Sequence, residues 1–349
     1  MKKVPYIAAI VLLAWSASMA QDPAPKPAPS ASAALRQPLP RGQALPLAKQ
    51  VATDFLQGRG ASLWELMTPA MQQALGNDRA KYEQTAAAVI QQIGHVTDTL
   101  QERMMPSLDL QIYSKLVRTD GFAGHLVISV ALDPDGRIAG LGASPLPNPA
   151  PTEFTDYKGK TIFLFPLEGE WTIYQGGRSV YDNYHAEFRD QRFAYDITLV
   201  DNGSMYADGG AKLSDFYAFG KPVRAAGAGT VIYAQDRYDD NPIGKPLPAS
   251  PKQGNSIIVD HGNGEFSFYA HLRHGSLKVQ SGNVVKIGQA IAEVGNSGNS
   301  PIPHLHFHLQ NTPTWNNGDG LPVFFHNVVV NGVRVSDSAP VRGDLVHAQ

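Results

Sequence analysis

Apolar residues in the first third of the chain recur every three or four positions, which is the period of an amphipathic helix. Two such stripes fall within 48–56 and 63–75. A third helix is expected over 82–93, because Gly94 follows it and glycine is typical of a helix end. This part of the chain is therefore predicted to contain successive helices.

The pattern then changes to the two-residue alternation of β-strands. Strands are expected at 110–113, 124–132 and 137–141, and the Asp-Pro-Asp-Gly sequence at 133–136 predicts a hairpin turn. Helices followed by a meander predict a small α+β domain over 45–146. This domain resembles the cystatin- or NTF2-like modules that precede secreted hydrolases, and it contains no candidate catalytic cluster.

Prolines at 145–151 mark a domain boundary. Beyond it, strands are expected at 160–165 and 170–174, and the pattern stays all-β over 152–335, which predicts an antiparallel sheet or barrel-like domain. The Pro-rich, charged segment 236–252 is expected to be a loop. It can border a substrate groove or be a plain surface insertion.

Both ends of the chain lack the pattern of a folded core. Residues 1–20 combine a short positive head, an apolar stretch too short for a permanent membrane anchor, and small residues ending at Ala20. They predict a signal peptide and an exported protein, periplasmic or secreted. Residues 21–44 are rich in Pro and Ala, which predicts a linker. The tail 336–349 is expected to be flexible.

Composition narrows the function only slightly. The chain has no cysteine, so neither disulfides nor a lipid-bearing cysteine are expected. The net charge of −2 gives no indication of nucleic-acid binding. Nothing in the composition indicates an oligomeric state.

The strongest chemical signal lies at 303–308, after a glycine-rich run. His304, His306 and His308 alternate there with apolar residues. Residues two apart on a strand point to the same face, so the three imidazoles are expected on one side of the strand. Clustered neutral imidazoles suit zinc binding and acid–base chemistry.

Further candidate residues precede this strand. His271 lies in an alternating segment at 267–272, and His185 and Asp196 lie upstream of it. A zinc peptidase needs three protein ligands and an open position for water. Two more histidines can then act as base and as oxyanion stabiliser. The sequence contains enough residues for both tasks.

The C-terminal half of the chain resembles the lysostaphin-type (M23) zinc metallopeptidases, which cut peptide cross-bridges in peptidoglycan. Several motifs in the family's order carry this resemblance. They are found at 260–264, 269–272, 284–289 and 303–307, with Gly282 and Gly295, and a first hairpin at 219–231 fits as well.

The resemblance implies a role for each candidate. His185, Asp196 and His306 would be the ligands of one Zn²⁺ per chain, and His271 and His304 would be the catalytic histidines beside it. Zinc-bound water is acidic enough to supply a nucleophile near neutral pH. Which of the two histidines acts as base is left open by the sequence. The implied partners are peptidoglycan peptides.

The first ligand pair departs from the family pattern, which places the aspartate four positions after the histidine. Asp190 is nearer to His185 and is the alternative ligand. Asp196 is preferred because it lies in an alternating strand-like segment, whereas Asp190 lies in a charged loop.

Two other histidines stand near the motifs. His308 takes a position where the family usually has an acidic residue, and it is expected beside the ligands rather than on the metal. His261 lies in a turn-like stretch and is expected to be structural.

Three classes of function remain at this point. The first is a zinc endopeptidase acting on peptidoglycan peptides. The second is a silent regulator that activates other cell-wall hydrolases, against which the complete set of five candidate residues argues. The third is a binding module, since 279–292 also resembles a biotinyl-type hammerhead, although that interpretation makes no use of the histidines.

Overall fold

The computed structural model describes residues 35–247 and 251–348. The chain divides into two compact units: the first ends at Leu146 and includes Asn202–Ser204, and the second comprises Pro147–Asp201 and continues from Met205. The predicted signal peptide and residues 21–34 of the predicted linker lie outside the described residues. A helix begins at Arg41, inside the stretch predicted as linker.

The first unit combines helices with an antiparallel meander. Its helical elements are α1 (Arg41–Leu56), a 3₁₀ turn (Gly60–Leu66), α2 (Pro69–Ala74) and α3 (Arg79–Ile93). Its strands are β1 (Val96–Ser107), β2 (Leu110–Thr119), β3 (Leu126–Leu132) and β4 (Ile138–Pro145), paired in chain order. Within the described parts of the chain, no helix is long and apolar enough to cross a membrane.

Local capping explains where these helices start and stop. Thr68 accepts a hydrogen bond from the Met71 N–H, and Asp78 accepts one from the Lys81 N–H, so each side chain satisfies an otherwise unpaired amide. Gly94, at φ +71°, ends α3. The helices bury one face in a core that belongs to this unit alone.

The second unit consists mainly of strands. In chain order they are β5 (Gly169–Gln175), β6 (Tyr195–Thr198), β7 (Pro222–Arg224), β8 (Gly229–Gln235), β9 (Asn255–Asp260), β10 (Phe266–Leu272), β11 (Val284–Val285), β12 (Ala290–Glu293), β13 (Leu305–Gln310), β14 (Gly320–Leu321), β15 (Phe325–Val330), β16 (Val333–Ser338) and β17 (Leu345–Ala348). Short 3₁₀ turns occur at Tyr184–Glu187 and Leu213–Asp215. The fold class is as expected, an α+β unit followed by an antiparallel all-β unit.

One large antiparallel sheet organises this unit. Among the described residues its order is β11-β8-β9-β10-β13-β6-β5-β17-β15-β16, with β14 also paired to β13 and a separate β7–β12 pair. One face of the central strands is apolar: Leu305, Phe307 and Leu309 of β13 are almost fully buried in the core. The opposite face of the same strands carries the histidines.

The prediction of a strand at 160–165 is wrong, because the structure has only an isolated bridge there, at Phe163. The buried Glu265 carboxylate accepts hydrogen bonds from the Lys160 and Thr161 amides and from the Tyr157 hydroxyl. Because the Lys160 and Thr161 amides donate to this side chain, they are not available to pair with a neighbouring strand.

The prediction of a flexible tail over 336–349 is also wrong for its described part. β16 extends to Ser338, and β17 pairs with β5 on one side and with β15 on the other. Val346 on β17 is fully buried in the core. Paired backbone and a single inward side chain suffice to order a segment whose apolar pattern is too short to detect.

Val346 and Leu345 offer a direct test of this ordering, because Val346 is buried whereas Leu345 is 40% exposed. We expect Val346→Ala to lower the free energy of unfolding of the second unit by about 1–3 kcal/mol through lost burial and a cavity. Leu345→Ala should change it by less than about 0.5 kcal/mol. Urea unfolding followed by tryptophan fluorescence measures both. Equal effects would contradict the inward packing of β17.

Candidate metal and catalytic site

His185 is presented by the 3₁₀ turn that follows β5. Asn183, the residue before this turn, is fully buried; its side-chain oxygen accepts from the His185 N–H at 3.1 Å. Its amide nitrogen donates to the Gly177 and Ala194 carbonyls at 3.1 and 3.0 Å. Asn183 thereby joins the turn to both flanking segments and fixes the position of the His185 backbone.

Strand register brings the other donors to the same place. Asp196 of β6 lies directly opposite His306 of β13, and His306 in turn lies opposite Ala270 of β10. β10, β13 and β6 are neighbours in the sheet, so side chains at paired positions of adjacent strands lie close together. Pairing of the strands thus sets the spacing between the aspartate and the histidine.

Three donors converge in this position. The Asp196 carboxylate lies 3.0 Å from His185 Nε2 through Oδ2 and 3.0 Å from His306 Nδ1 through Oδ1. One ligand atom from each residue lies within 4.8 Å of the others, and all three residues are buried. Among the described residues this is the group of histidine and acidic side chains with the geometry of a metal site.

Asp190, the alternative considered from the sequence, is placed elsewhere. Its carboxylate accepts a hydrogen bond from the Asn316 N–H at 3.2 Å, and it is not among the converging donors. The geometry therefore favours Asp196 over Asp190.

His271 reaches the site through an irregularity in β10. The register between β9 and β10 shifts after Tyr269, and His271 has φ +59°, in the left-handed region. A bulge re-aims the side chain of its strand, and a left-handed backbone is uncommon outside glycine. The His271 ring lies 4.8 Å from the His304 ring and 5.8 Å from the His306 ring, measured between centroids.

Backbone carbonyls determine the tautomers of both additional histidines. His271 Nδ1 lies 2.9 Å from the Ser297 carbonyl, and His304 Nδ1 lies 2.8 Å from the Ile302 carbonyl. A carbonyl only accepts, so each Nδ1 carries a proton, and in the neutral ring each Nε2 carries the lone pair. The His304 Nε2 is 3.6 Å from Asp196 Oδ1, which places this lone pair at the site.

The segment that supplies these carbonyls is tightly packed against its neighbours. The Ser297 hydroxyl donates to the Leu272 carbonyl and accepts from the Asn255 N–H. Gly254 and Gly298 adopt positive φ where their backbones meet, and a Cβ on Gly298 would lie 2.4 Å from the Gly254 nitrogen. Only glycine permits this approach.

The loop predicted at 236–252 packs on the same segment. The buried Asn241 side chain donates to the Gly298 and Ser300 carbonyls, and the Asp240 carboxylate accepts from the Asn296 N–H. Ser300 in turn contacts His304 Nδ1 at 3.2 Å. The described part of this loop therefore packs on the segment that contacts His304, and a border to a substrate groove stays a prediction.

The electrostatics of the site follow from burial and from the clustering of like groups. Burial alone would raise the pKa of Asp196, but His185 and His304 outweigh it, and the pKa lies well below its usual value. Burial, with His304 and His306 nearby, holds the pKa of His271 well below its usual value. Burial likewise lowers the pKa of His306. The site thus combines an ionised carboxylate with two histidines, His271 and His306, whose neutral forms burial favours.

This donor set suits zinc. Neutral imidazole nitrogens and one carboxylate are among the ligands that zinc prefers, and three protein ligands leave a position for water or substrate. His271 and His304 lie beside the three donors, and His304 Nε2 is 3.6 Å from Asp196 Oδ1. The arrangement can hold a metal ion and accept or donate protons next to it.

The structure brings together all five residues named from the sequence. It adds Asn183, Ser297 and Asn241, which the sequence analysis did not single out. Asn183 carries a detectable signal, since asparagine is favoured immediately before a helical turn. Ser297 acts through its backbone carbonyl and Asn241 through a distant loop, and neither leaves a local signal.

Comparison with known proteins agrees with this architecture. The profile of peptidase family M23 matches residues 211–319, a range that includes His271, His304 and His306 but not His185 or Asp196. Lipoprotein NlpD of Yersinia enterocolitica is 33% identical over 91 residues, which cover 26% of this chain and 78% of that protein. The chain belongs to peptidase family M23.

Other relatives match only in this region. Outer membrane antigenic lipoprotein B of Histophilus somni is 38% identical over 112 residues, covering 32% of this chain and 29% of that protein. Peptidoglycan DD-endopeptidase ShyA of Vibrio cholerae is 32% identical over 90 residues, covering 26% and 17%. The chain thus spans less than a third of the length of the first curated relatives it matches.

Solved structures also show similarity. The catalytic domain of the prophage-encoded M23 protein EnpA from Enterococcus faecalis is 20% identical, with a TM-score of 0.30, covering 47% of this chain and 95% of that one. The catalytic domain of lysostaphin from Staphylococcus simulans is 21% identical, with a TM-score of 0.25, covering 50% and 96%.

The left-handed backbone at His271 generates a stability prediction. Asparagine adopts this conformation readily and valine does not, so we expect His271→Val to be less stable than His271→Asn by about 1–2 kcal/mol. Thermal unfolding of the two variants measures the difference.

His261 provides the matched control. It also donates Nδ1–H to a backbone carbonyl, and its φ is not positive. The same pair of substitutions there should lack this conformational penalty. Equal stability of the two His271 variants would show that the bulge relaxes when the imidazole is removed.

Proposed function

We propose that the protein is a zinc-dependent endopeptidase that hydrolyses peptide cross-links of bacterial peptidoglycan. One observation carries this proposal: His185, Asp196 and His306 converge within 4.8 Å in a buried position. Asp196 would be a ligand through its carboxylate, His185 through Nε2 and His306 through Nδ1. One Zn²⁺ per chain fits this set.

Zinc bound there would act as a Lewis acid on the scissile carbonyl and would make a bound water acidic. The remaining chemistry belongs to His271 and His304. In its neutral form each has the tautomer that leaves Nε2 free, so one Nε2 accepts a proton from the attacking water. The other, after taking up a proton from solvent at Nε2, donates a hydrogen bond to the developing oxyanion. Their shared tautomer makes either histidine competent as the base.

The substrate class is supported by the relatives. ShyA is named a peptidoglycan DD-endopeptidase, and DipM of Caulobacter vibrioides, 30% identical over 95 residues, is named a cell division protein. Several other relatives are named as lipoproteins, two of them of the outer membrane. These names support export to the periplasm or beyond, and a substrate made of peptidoglycan peptides.

A second candidate function is regulation of other cell-wall hydrolases without catalysis. The names of several relatives favour it, since NlpD-type lipoproteins and a cell division protein are among them and are not named as enzymes. The complete set of three donors and two catalytic histidines argues for the enzyme. The two functions differ in one measurable way, which is turnover of peptidoglycan by the purified protein.

The first test addresses the metal ligands. We expect the purified full chain to contain about one zinc ion and to release peptides from cross-linked peptidoglycan. Asp196→Asn should weaken zinc binding by more than about a hundredfold, because even loss of a residue that only supports a ligand costs 10- to 100-fold. Asp190→Asn, the matched control, should keep zinc and activity. Competition with a chromophoric chelator measures the affinity.

Two outcomes would change the conclusion. Loss of zinc in Asp190→Asn but not in Asp196→Asn would reverse the assignment of the ligand. Zinc binding without any product release, in a protein that stimulates a second cell-wall hydrolase, would replace the endopeptidase by the regulator. Mass spectrometry of the released peptides identifies the bond.

The second test separates a catalytic histidine from a ligand. We expect His304→Asn to keep zinc at the native level and to lower the turnover rate by about 10²- to 10⁴-fold, the contribution of general acid–base catalysis. His306→Ala should lose both zinc and activity. If His304→Asn instead loses zinc with His306→Ala, His304 is a ligand and the proposed roles are wrong.

A further inference from the structure

We propose that His308 and Gln310 form a directional hydrogen-bond relay that holds His306 in the Nε2–H tautomer, so that its Nδ1 lone pair faces Asp196 and His185. This proposal deepens the metal site proposed above. It assigns a positioning role to two residues outside the proposed ligand set.

The three side chains lie in line along one strand. His306, His308 and Gln310 alternate on the polar face of β13 and are all buried, with 3%, 0% and 0% of their surface exposed. His306 Nε2 lies 3.0 Å from His308 Nδ1, and His308 Nε2 lies 3.2 Å from Gln310 Oε1. Each imidazole therefore has one neighbour at each ring nitrogen.

The direction of the relay is set at its far end. Gln310 Nε2 lies 2.7 Å from the Thr312 and Thr314 carbonyls and 3.2 Å from the Asn317 carbonyl. Carbonyls accept and do not donate, so the NH₂ end of the amide must point to this loop. The reverse orientation would set Oε1 against three carbonyl oxygens. Gln310 Oε1 consequently faces His308.

Each step then follows from the one before. Gln310 Oε1 is an acceptor only, so His308 Nε2 must donate and its Nδ1 must accept. His306 Nε2 is accordingly the donor to His308, which leaves Nδ1 of His306 without a proton. That nitrogen lies 3.0 Å from Asp196 Oδ1, among the proposed ligand atoms.

The competing arrangement requires a charged His308. If His306 Nδ1 donated to Asp196, His308 would have to donate from both nitrogens and would be an imidazolium. His308 is stacked on Phe268 at 4.5 Å between ring centroids and contacts the Trp315 ring at 5.3 Å. An imidazolium there is disfavoured, because the ring is fully buried between two aromatic rings and has no carboxylate at either nitrogen.

The spectroscopic test uses the native full chain. Two-bond ¹H–¹⁵N correlation spectra distinguish protonated from unprotonated imidazole nitrogens. We expect His308 as Nε2–H in the zinc-loaded and in the metal-free protein, and His306 as Nε2–H in the zinc-loaded protein. His308 as Nδ1–H, or as an imidazolium at neutral pH, would overturn the relay.

The affinity test uses variants at position 308, with zinc as the probe. His308→Phe keeps a ring between Phe268 and Trp315 but removes the acceptor, and we expect zinc affinity to fall by about 10- to 100-fold. His308→Glu restores an acceptor and should recover most of this loss. His261→Phe, which removes a hydrogen-bonded ring outside the site, should leave zinc affinity unchanged.

The outcomes separate this proposal from the proposed function. Native affinity in His308→Phe, or equal loss in His308→Phe and His308→Glu, would contradict the relay. If the native protein binds zinc but releases no peptides, the relay stands and the endopeptidase fails. If the native protein binds no zinc, the His308 tautomer in the metal-free protein still tests the relay, which requires the proton on Nε2.

Discussion

The second unit is organised around a carboxylate that is almost excluded from water. Asp196 is only 4% exposed in the middle of the sheet, where an unpaired charge would be strongly unfavourable. Ring nitrogens of His185, from one segment, and of His304 and His306, from another, face this carboxylate, and a metal ion or a proton held among them would offset its charge. The register of β6 on β13 sets Asp196 opposite His306, and the Asn183 hydrogen bonds hold the turn that carries His185. Breaking any of them would leave a buried charge without its partners.

Around this centre the backbone, rather than acidic side chains, orients the histidines. The Ser297 and Ile302 carbonyls each receive the Nδ1 proton of a histidine, and the carbonyls after Gln310 orient its amide. A carbonyl adds no net charge to the site, so Asp196 is the one carboxylate among the converging donors. Backbone carbonyls thereby set the orientation of the histidines, whereas the Asp196 side chain sets the charge of the site.

Most of the strands and all five candidate site residues could be predicted from the sequence, and particular residues show why. Alternation of His306 and His308 with Leu305, Phe307 and Leu309 separates the two faces of β13, and the structure places these three apolar side chains in the hydrophobic core. Both faces are buried, and His304 lies just before the strand. β1 was not predicted, because its first half is polar and exposed at the edge of its sheet. The strand at 160–165 was predicted wrongly, because a distant side chain, Glu265, withdraws its amides from pairing. Side chains that act across long distances leave no local pattern.

The donors of the site come from distant parts of the chain. His185 precedes Asp196 by 11 residues, but Asp196 and His306 are 110 residues apart and meet only through the β6–β13 ladder. An unfolded chain therefore cannot present this trio, and contacts of such long range form slowly. A ligand that binds only the folded form stabilises it by about 2.7 kcal/mol at a hundred times its dissociation constant. The availability of metal would thus influence how much of the newly made protein survives proteolysis, before any substrate is encountered.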